Sequence, residues 1–356
     1  MFTLEAVPGR YDLTRDDLAA VLAGEPSYRV RQVWDGLYRQ VVEPAELTNL
    51  PAALRARLAE SADLAPALHP ELESLSDRGD TVKWLWSLHD GARVETVLMH
   101  YRDGRSTVCV STQAGCAMAC GFCATGQAGF ERNLSTGEIV EQVARAIQAA
   151  RPRRVSNVVF MGMGEPLANY DRVWEAVRRL HDDIGMSARH LTISTVGIVP
   201  GIKRLAGEGL PVNLAVSLHA ADDELRDRLV PINKRYPLDV LVAACHDYLD
   251  AKGRRLSFEW ALIDGVNDRP VDARRLAGLA RPLAAHVNLI PLNPTPGYPT
   301  RGTPPERVQE FRDRLADLGV NATVRRNRGT DIDAACGQLR AAAAGTASPV
   351  ALRRAD

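Results

Sequence analysis

Three cysteines lie close together in one short segment of the chain, as Cys116, Cys120 and Cys123. Thiolates are preferred ligands of iron–sulfur clusters, and gaps of three and two residues let one loop surround a compact inorganic core. A cubane cluster held by three thiolates keeps one iron atom without a protein ligand. Because that iron can bind a small molecule directly, the spacing indicates a reactive cluster.

Two other uses of these cysteines are a zinc site and disulfide bonds. Structural zinc normally has four ligands, and this loop has neither a fourth cysteine nor a histidine, although Cys109 or His100 could complete a set. Disulfides are disfavoured because the chain opens without the charged, apolar and small-residue pattern of a secretory leader. No apolar run approaches the roughly 18 residues of a membrane span. We therefore expect a cytoplasmic protein.

Length and charge restrict the remaining possibilities. A chain of 356 residues that is 46% hydrophobic can form one large domain and a smaller one. Its 44 basic and 44 acidic residues cancel, so no global charge favours nucleic acid. Residues 1–80 are acidic, with 8 Arg and no Lys against 14 Asp and Glu. Local arginine clusters occur at positions 151, 153 and 154 and again at 325, 326 and 328.

From about residue 105, short β-branched runs alternate with helical patterns, which is typical of a parallel sheet covered by helices. The first helix is predicted to follow Ser135, which stands at capping-box spacing from Glu138. Strands are predicted over 107–111, 157–161, 190–194, 212–217, 256–263 and 287–291. Further helices are predicted over 173–181, 200–205, 223–229, 238–249, 273–283 and 305–318. These six β/α units predict an α/β fold, a partial barrel.

Chemically useful residues recur where the predicted strands end. In sheets of this kind reactive groups lie at the carboxyl ends of the strands. The cysteine loop follows the first strand, and the second ends in Met161-Gly-Met-Gly-Glu-Pro166. Later strands end at Ser194, at Ser217-Leu-His219 and at Asn293. Each alone is typical of a turn or helix cap, but their repetition around one cysteine loop predicts a shared ligand site.

The segment before the barrel is predicted to contain a small helical module and a hairpin. Thr14 begins a helix, and 27–41 has apolar residues at helical spacing, including Trp34 and Tyr38. These two rings could stack on bases, although the core of the module is the better interpretation for Trp34. Residues 65–77 suggest a linker, and 79–100 alternate as a hairpin does. The predicted divisions are 1–64 (helical, RNA-binding-like), 65–100 (linker and hairpin), 101–340 (barrel) and 341–356 (tail).

Three further cysteines lie outside the loop. Cys245 falls in an alanine-rich helical pattern and is interpreted as a buried small residue. Cys109 lies seven residues before the first cysteine of the loop. It is either a buried small residue or a reactive thiol, and the sequence leaves both interpretations open. Cys336 has polar and glycine-containing neighbours, which favour an accessible, ionisable thiol in a loop.

Taken together, these motifs resemble the RlmN family of radical SAM (S-adenosylmethionine) adenine C2 methyltransferases. The resemblance covers most of the chain and is most specific in the run around Cys336, which radical SAM enzymes in general do not need. It is carried by the helical module, Lys83-Trp84, Val94-Glu95-Thr96-Val97, the cysteine loop, Met161-Gly-Met-Gly-Glu-Pro166, Ser217-Leu-His219, Asn293-Pro294 and Asp331-Ile-Asp-Ala-Ala-Cys336-Gly-Gln-Leu339.

The resemblance implies a radical route to a carbon that is not nucleophilic. Cys336 would take a methyl group from one SAM, a radical from a second SAM would abstract hydrogen from that methyl, and the resulting carbon radical would add to C2 of adenine. Cys109 would then help to remove the C2 proton and attack the Cys336 sulfur, which releases the product and leaves a disulfide that must be reduced. Glu95 matches the proton acceptor of the family. The arginines at 325, 326 and 328 are candidate phosphate contacts.

The same resemblance implies cofactors, contacts and partners. The cofactors are a [4Fe–4S] cluster on Cys116, Cys120 and Cys123, and SAM. The implied partners are 23S rRNA, in some members tRNA, and an electron donor such as flavodoxin, with a monomer as the default state. The alternatives are the sister C8-adenine methyltransferase, a radical SAM enzyme of other substrates, and a non-enzymatic metal-binding module. The implied SAM contacts are Gly164, Glu165, Ser194, Ser217, Leu218, His219 and Asn293.

Overall fold

The structure is a computed structural model that describes residues 9–295, 297, 298 and 300–341. Ten of the twelve strands in this part of the chain form one sheet, in the order β1-β2-β3-β4-β7-β8-β9-β10-β11-β12, and β5 pairs with β6 separately. The strands are β1 (His69–Ser76), β2 (Thr81–Ser87), β3 (Arg93–His100), β4 (Ser106–Cys109), β5 (Gln113–Gly115), β6 (Phe130–Asn133), β7 (Asn157–Phe160), β8 (Leu191–Thr195), β9 (Asn213–Ser217), β10 (Leu256–Leu262), β11 (His286–Pro291) and β12 (Ala322–Val324).

Helices connect and cover these strands. None in the described residues is both long and apolar enough to cross a bilayer. The α-helices are α1 (Arg15–Val21), α2 (Tyr28–Asp35), α3 (Ala52–Glu60), α4 (Ala124–Ala128), α5 (Thr136–Ala150), α6 (Tyr170–Arg179), α7 (Val199–Gly207), α8 (Asp223–Leu229), α9 (Leu238–Lys252), α10 (Pro270–Ala280) and α11 (Pro305–Asp317).

The predicted α/β partial barrel is confirmed. All six predicted strands are present, and β4, β7, β8, β9, β10 and β11 pair in that order, all parallel. Their side chains form the main core: Val158, Phe160, Phe258 and Trp260 are fully buried. The predicted helices all lie between these strands or after them. The structure adds β12, a short parallel strand at the edge beside β11.

The first barrel helix shows why the sequence prediction succeeded. The Ser135 hydroxyl accepts from the Glu138 amide, and the Glu138 carboxylate accepts from the Ser135 amide, as the spacing predicts. The same carboxylate receives both Arg132 amino groups at 2.8 Å. Ile139, Val140 and Val143 are fully buried below it. The cap therefore fixes both the start and the buried face of α5.

The segment 65–77 was predicted as a linker, and that prediction is wrong. Residues 69–76 form β1, which pairs antiparallel with β2, and β2 pairs antiparallel with β3 as the predicted hairpin. Since β3 also pairs with β4, these three strands extend the barrel sheet. β1 forms through backbone pairing with β2, although its residues are polar and mostly exposed. The division of the chain at residues 64 and 100 stays a prediction, and residues 342–356 of the predicted tail lie outside the described residues.

The helices of the amino-terminal module pack on the barrel through an aromatic cluster. Trp34 and Tyr38 stack on each other with ring centroids 4.5 Å apart, and they are 5% and 0% exposed. The Trp34 indole also donates to Asp183 at 2.8 Å. Both rings are thus committed to the core, so the interpretation that they stack on bases is wrong.

Residues 325–341, here called the strap, run from one end of the sheet to the other. At the β12 side the Arg325 amide donates to Leu289 O at 2.8 Å. At the other side the Arg328 guanidinium donates to His100 O at 2.6 Å, and Ser76 donates to Asp331. The strap therefore crosses the gap that the partial barrel leaves open, and it carries Cys336 over the carboxyl ends of the strands.

Candidate active site

The cysteine loop lies between β5 and α4, and its three thiols line one cavity. Glycines allow the tight turns on either side. Gly115 has φ of +74°, and a Cβ there would lie 2.0 Å from Gly129 O. A Cβ on Gly126 would lie 2.9 Å from Cys120 O. Side chains at these two positions would push the loop apart, so the glycines are needed to bring the thiols to the same cavity.

The three cysteines of the loop line one cavity, as the ligands of a cluster do. In a cubane each thiolate binds a different iron, so the thiols need to face a shared space and not a single point. Neither candidate for a fourth zinc ligand helps, since Cys109 lines a different cavity and His100 is hydrogen-bonded to Ser106.

Burial makes this cavity unfavourable for bare thiolates. It raises the pKa of Cys116 to about 12 and raises the pKa of Cys120 as well. Thiolates held in such a place need a positively charged partner, which an iron–sulfur core provides. The donor set and its surroundings therefore fit the cluster that the sequence predicts.

The same cavity collects most of the predicted SAM contacts. Side chains and backbone from the ends of four parallel strands meet there with the cysteine loop. The residues are Gly164, Glu165, Ser194, Ser217, His219 and Asn293. Leu218 is the exception, because its side chain is fully buried in the hydrophobic core instead.

Glu165 is a buried carboxylate in the loop that follows β7. Its two oxygens accept from the amides of Leu167 at 3.0 Å and Val196 at 2.8 Å, which fixes the group against the neighbouring strand end. Burial raises the pKa of Glu165 to about 7. A cationic ligand in the cavity would favour its charged form.

His219 is held as a neutral imidazole with a defined tautomer. The Ala261 amide donates to His219 Nδ1 at 3.0 Å, so Nδ1 carries no proton and Nε2 is the donor. Burial lowers the pKa of His219 to about 3. The side chain of Asn267 anchors the same turn by donating to His219 O and Ala261 O. The ring can therefore donate one hydrogen bond into the cavity without bringing charge.

Cys336 lies at the boundary between this cavity and a second one. Both cavities are lined by Cys336, Met161, Ile290, Arg325 and Leu339. The Asn293 amide donates to Cys336 O at 3.1 Å, which fixes the backbone while the thiol stays exposed. The sequence predicted an accessible thiol at this position, and the structure agrees.

Two charged side chains lie near Cys336, of which the sequence analysis named Arg325 only as a phosphate contact and missed Glu259. Arg325 Nη1 lies 3.9 Å from Cys336 Sγ and 3.4 Å from Glu259 Oε2. Glu259 is itself fixed by Asn288, which donates to its Oε1 at 2.8 Å. One signal could have revealed Glu259, which is a lone carboxylate in the apolar strand β10.

Cys109, at the end of β4, lines the second cavity together with Cys336. It is 8% exposed, and burial raises its pKa to about 12, with a smaller contribution from the charge of Cys336. The rest of this cavity is mainly apolar, with Met99, Tyr101 and Val159 on its wall. Cys109 is therefore a protonated thiol in an apolar space next to Cys336.

Glu95 lies away from both cavities. It forms a buried ion pair with Lys83, with Nζ and Oε1 2.8 Å apart. Its other oxygen accepts from the Arg340 amide of the strap at 2.9 Å, and Lys83 donates to Asp333 O of the strap at 3.3 Å. In this arrangement the pair clamps the strap, and the two Glu95 oxygens are taken up by Lys83 and the Arg340 amide.

The three predicted phosphate-binding arginines have different surroundings. Arg325 points into the site beside Cys336, as described above, and its role as a phosphate contact stays a prediction. Arg328 lies 4.5 Å from the centre of the Tyr101 ring and donates to His100 O. Arg326 is exposed at the rim of the second cavity, which leaves it the best candidate of the three for an RNA phosphate.

Comparison with known proteins places the chain among radical SAM enzymes. Residues 110–277 match the family described as the Radical SAM superfamily. The chain is 53% identical over 347 residues to a Chloroflexus aurantiacus protein named as a dual-specificity RNA methyltransferase RlmN, with 92% of both chains covered. A Salinispora tropica protein of the same name is 52% identical, with 93% of this chain and 92% of that one covered. The crystal structure of a radical SAM methyltransferase from Sphaerobacter thermophilus superposes with a TM-score of 0.89 at 51% identity, covering 94% of this chain and all of that one.

Proposed function

The chain belongs to the RlmN family of radical SAM RNA methyltransferases, and we propose that it methylates C2 of a specific adenine in 23S rRNA, and in tRNA as a second substrate. The name that the relatives share favours C2 over the sister C8 activity. The relatives are methyltransferases, so the alternative of a non-enzymatic metal-binding module is wrong. The dual-specificity name of the relatives supports including tRNA.

One observation carries the proposal. A single thiol, Cys336, lines both the cavity that contains the cysteine loop and the cavity that contains Cys109. A thiol that receives a methyl group on one side and delivers it to a base on the other needs this position. Three thiols in one cavity would suit many radical SAM enzymes. A further thiol in the wall between two cavities suits an enzyme that carries a methyl group from one cavity to the other.

The proposed cofactors are a [4Fe–4S] cluster and SAM. Cys116, Cys120 and Cys123 would hold the cluster, which when bound supplies the electron that cleaves SAM. Glu165 and His219 would orient SAM through a carboxylate and one imidazole N–H, on the geometry given above. The Leu218 side chain lies in the core, so only its backbone could contribute.

We assign the methyl-carrying role to Cys336. Its thiolate sulfur would form a bond to the SAM methyl carbon, while the sulfonium C–S bond breaks and its electron pair stays on the departing sulfur. Arg325 lies close enough to stabilise the thiolate before this step. The second cavity, apolar and next to the thiol, would hold the unstacked adenine, which sequence-specific RNA recognition usually presents in this way.

Cys109 and Glu95 would act after the adduct forms. The buried Cys109 thiol lines the adenine cavity. Once deprotonated, its sulfur could form a bond to the Cys336 sulfur while the bond from Cys336 sulfur to the methylene carbon breaks, and that carbon keeps the electron pair and takes up a proton to complete the methyl group, leaving a disulfide for reduction. Glu95 faces Lys83 and the strap in this structure. It could accept the C2 proton only after the strap moves away from it.

The proposed partners follow from the same assignment. Arg326 would contact RNA phosphate at the rim of the adenine cavity. A flavodoxin-like protein would donate the electron, and the enzyme would work as a monomer in the cytoplasm, where its RNA substrates are made. The family resemblance is the support for these three points.

The test is anaerobic reconstitution with iron and sulfide, followed by reaction with SAM, reductant and a 23S rRNA fragment. Mass spectrometry of the digested nucleosides should show 2-methyladenosine. 8-Methyladenosine would instead establish the sister activity. Cys336→Ala is the matched control, because it should keep the cluster and lose RNA methylation. Parallel reactions with tRNA test the second substrate.

A further inference from the structure

Arg226 is a fully buried arginine in α8, immediately behind the cavity that the three thiols line. Its guanidinium donates to the carbonyls of Leu218 at 3.1 Å and Val196 at 2.6 Å and to the amide oxygen of Asn233 at 2.8 Å. None of the ion pairs among the described residues involves Arg226. A buried charge normally has a direct counter-ion, so this arginine is unusual.

Nearby carboxylates reach Arg226 only through an intermediary. The Asn233 amide donates to Asp223 at 2.9 Å and to Asp227 at 2.7 Å, while its oxygen faces Arg226. Burial lowers the pKa of Arg226 to about 10, so the group stays positively charged near neutral pH. The two carboxylates therefore compensate the fixed positive charge of Arg226 only through Asn233.

The contacts of Arg226 connect it to the cavity that contains the cysteine loop. The carbonyls that Arg226 binds belong to residues at the ends of β8 and β9, whose neighbours Ser217 and His219 line the cavity. On the same helix, Leu225 and Leu229 belong to one apolar cluster with Cys120.

We propose that Arg226 is a positioning residue that also supplies the buried counter-charge of the iron–sulfur cluster. A cubane on three thiolates is negatively charged and becomes more so when it takes up one electron. A fixed positive charge in a low-dielectric interior favours the reduced form. Arg226 therefore raises the reduction potential of the cluster, and it holds the two strand ends that bind SAM. This inference rests on the cluster proposed above.

The test is an anaerobic redox titration of the reconstituted protein with dithionite, followed by electron paramagnetic resonance of the reduced cluster. Arg226→Gln should lower the midpoint potential by at least about 59 mV, which is a tenfold change in the ratio of reduced to oxidised cluster for one electron. The matched control is Arg228→Gln, which removes the same charge from an exposed position of α8 and should leave the potential unchanged.

Replacing Arg226 with lysine distinguishes its positioning role from its role as a counter-charge. Arg226→Lys keeps the charge but cannot bind the carbonyls of Leu218 and Val196 together with Asn233, so it should keep a potential near that of the wild type and bind SAM more weakly. Iron and sulfide analysis of each variant confirms that the cluster is complete. A wild-type potential in a fully loaded Arg226→Gln protein would overturn the inference.

A second variant covers the case in which Arg226→Gln fails to fold. Asp227→Asn keeps an oxygen that can accept from the Asn233 amide but removes a carboxylate that partly compensates Arg226, so it should raise the potential, and an unchanged potential would refute the counter-charge role. Failure of the proposed function looks different, because then the wild-type protein itself would assemble no redox-active cluster.

Discussion

Replacing Lys83 tests whether the buried pair with Glu95 holds the strap. The two side chains are 11% and 4% exposed, and they join neighbouring strands to the strap at Asp333 and Arg340. Lys83→Met would leave the Glu95 carboxylate buried without its cation. Removing one partner of a buried pair typically costs about 3–5 kcal/mol, so we expect a loss of that size in the free energy of unfolding.

The double variant shows how much of this loss belongs to the pair itself. Glu95→Gln leaves Lys83 uncompensated, whereas Lys83→Met combined with Glu95→Gln leaves no buried charge. The double variant should therefore cost much less than the sum of the single ones. The control is Arg93→Met, which breaks a more exposed pair between β3 and Glu71 of β1 and should cost about 0–1 kcal/mol.

The assay is urea unfolding combined with hydrogen exchange of the strap. The Arg340 amide, which donates to Glu95, should lose protection in Lys83→Met and in Glu95→Gln. A cost for Lys83→Met no larger than about 1 kcal/mol, with full protection at Arg340, would refute the clamp, because a pair that weak behaves like a surface one. Turnover assays then distinguish the role of Glu95 in the clamp from a role in proton transfer. If it also accepts the C2 proton, Glu95→Gln should accumulate protein–RNA adduct and Lys83→Met should not.

Three other substitutions test separate parts of the site and fold. Cys120→Ala should abolish the cluster, since two thiolates cannot hold it, and a normal iron and sulfide content would contradict the assignment. Cys109→Ala should trap a covalent protein–RNA species that shifts on a denaturing gel, whereas free methylated RNA at normal rates would remove Cys109 from the scheme. Trp34→Ala should cost about 3–5 kcal/mol of stability through lost packing. At a temperature where that variant stays folded, its affinity for RNA should be unchanged, and a large loss would restore the base-stacking interpretation.

The sequence predicted the barrel because its strands and helices carry their own local signals. The parallel strands are short runs rich in β-branched residues, and α5 begins at a capping box that is visible in four residues. β1 has no such signal. Its residues are polar and mostly exposed, and it is a strand only because β2 offers it a pairing edge.

The sequence likewise predicted some residues of the candidate site and missed others. The three thiols and the strand-end residues were visible because spacing along the chain brings them together. Arg325 meets Glu259 across 66 positions, and Lys83 meets Asp333 across 250, so no local pattern could pair them. Trp34 and Tyr38 were ambiguous for another reason, since aromatic residues serve cores and nucleic-acid surfaces alike, and only their burial decided the question.

The position of Cys336 explains how one thiol could serve two chemically different partners. Its carbonyl is held by Asn293, and the strap around it is anchored to β1, β2 and β3 on one side and to β11 on the other. Both cavities share the wall that contains its sulfur. A methyl group on that sulfur would therefore lie between SAM and the base without a large swing of the backbone. The movement that the scheme still requires is at the strap residues next to Glu95, since that carboxylate must exchange the Arg340 amide for the base.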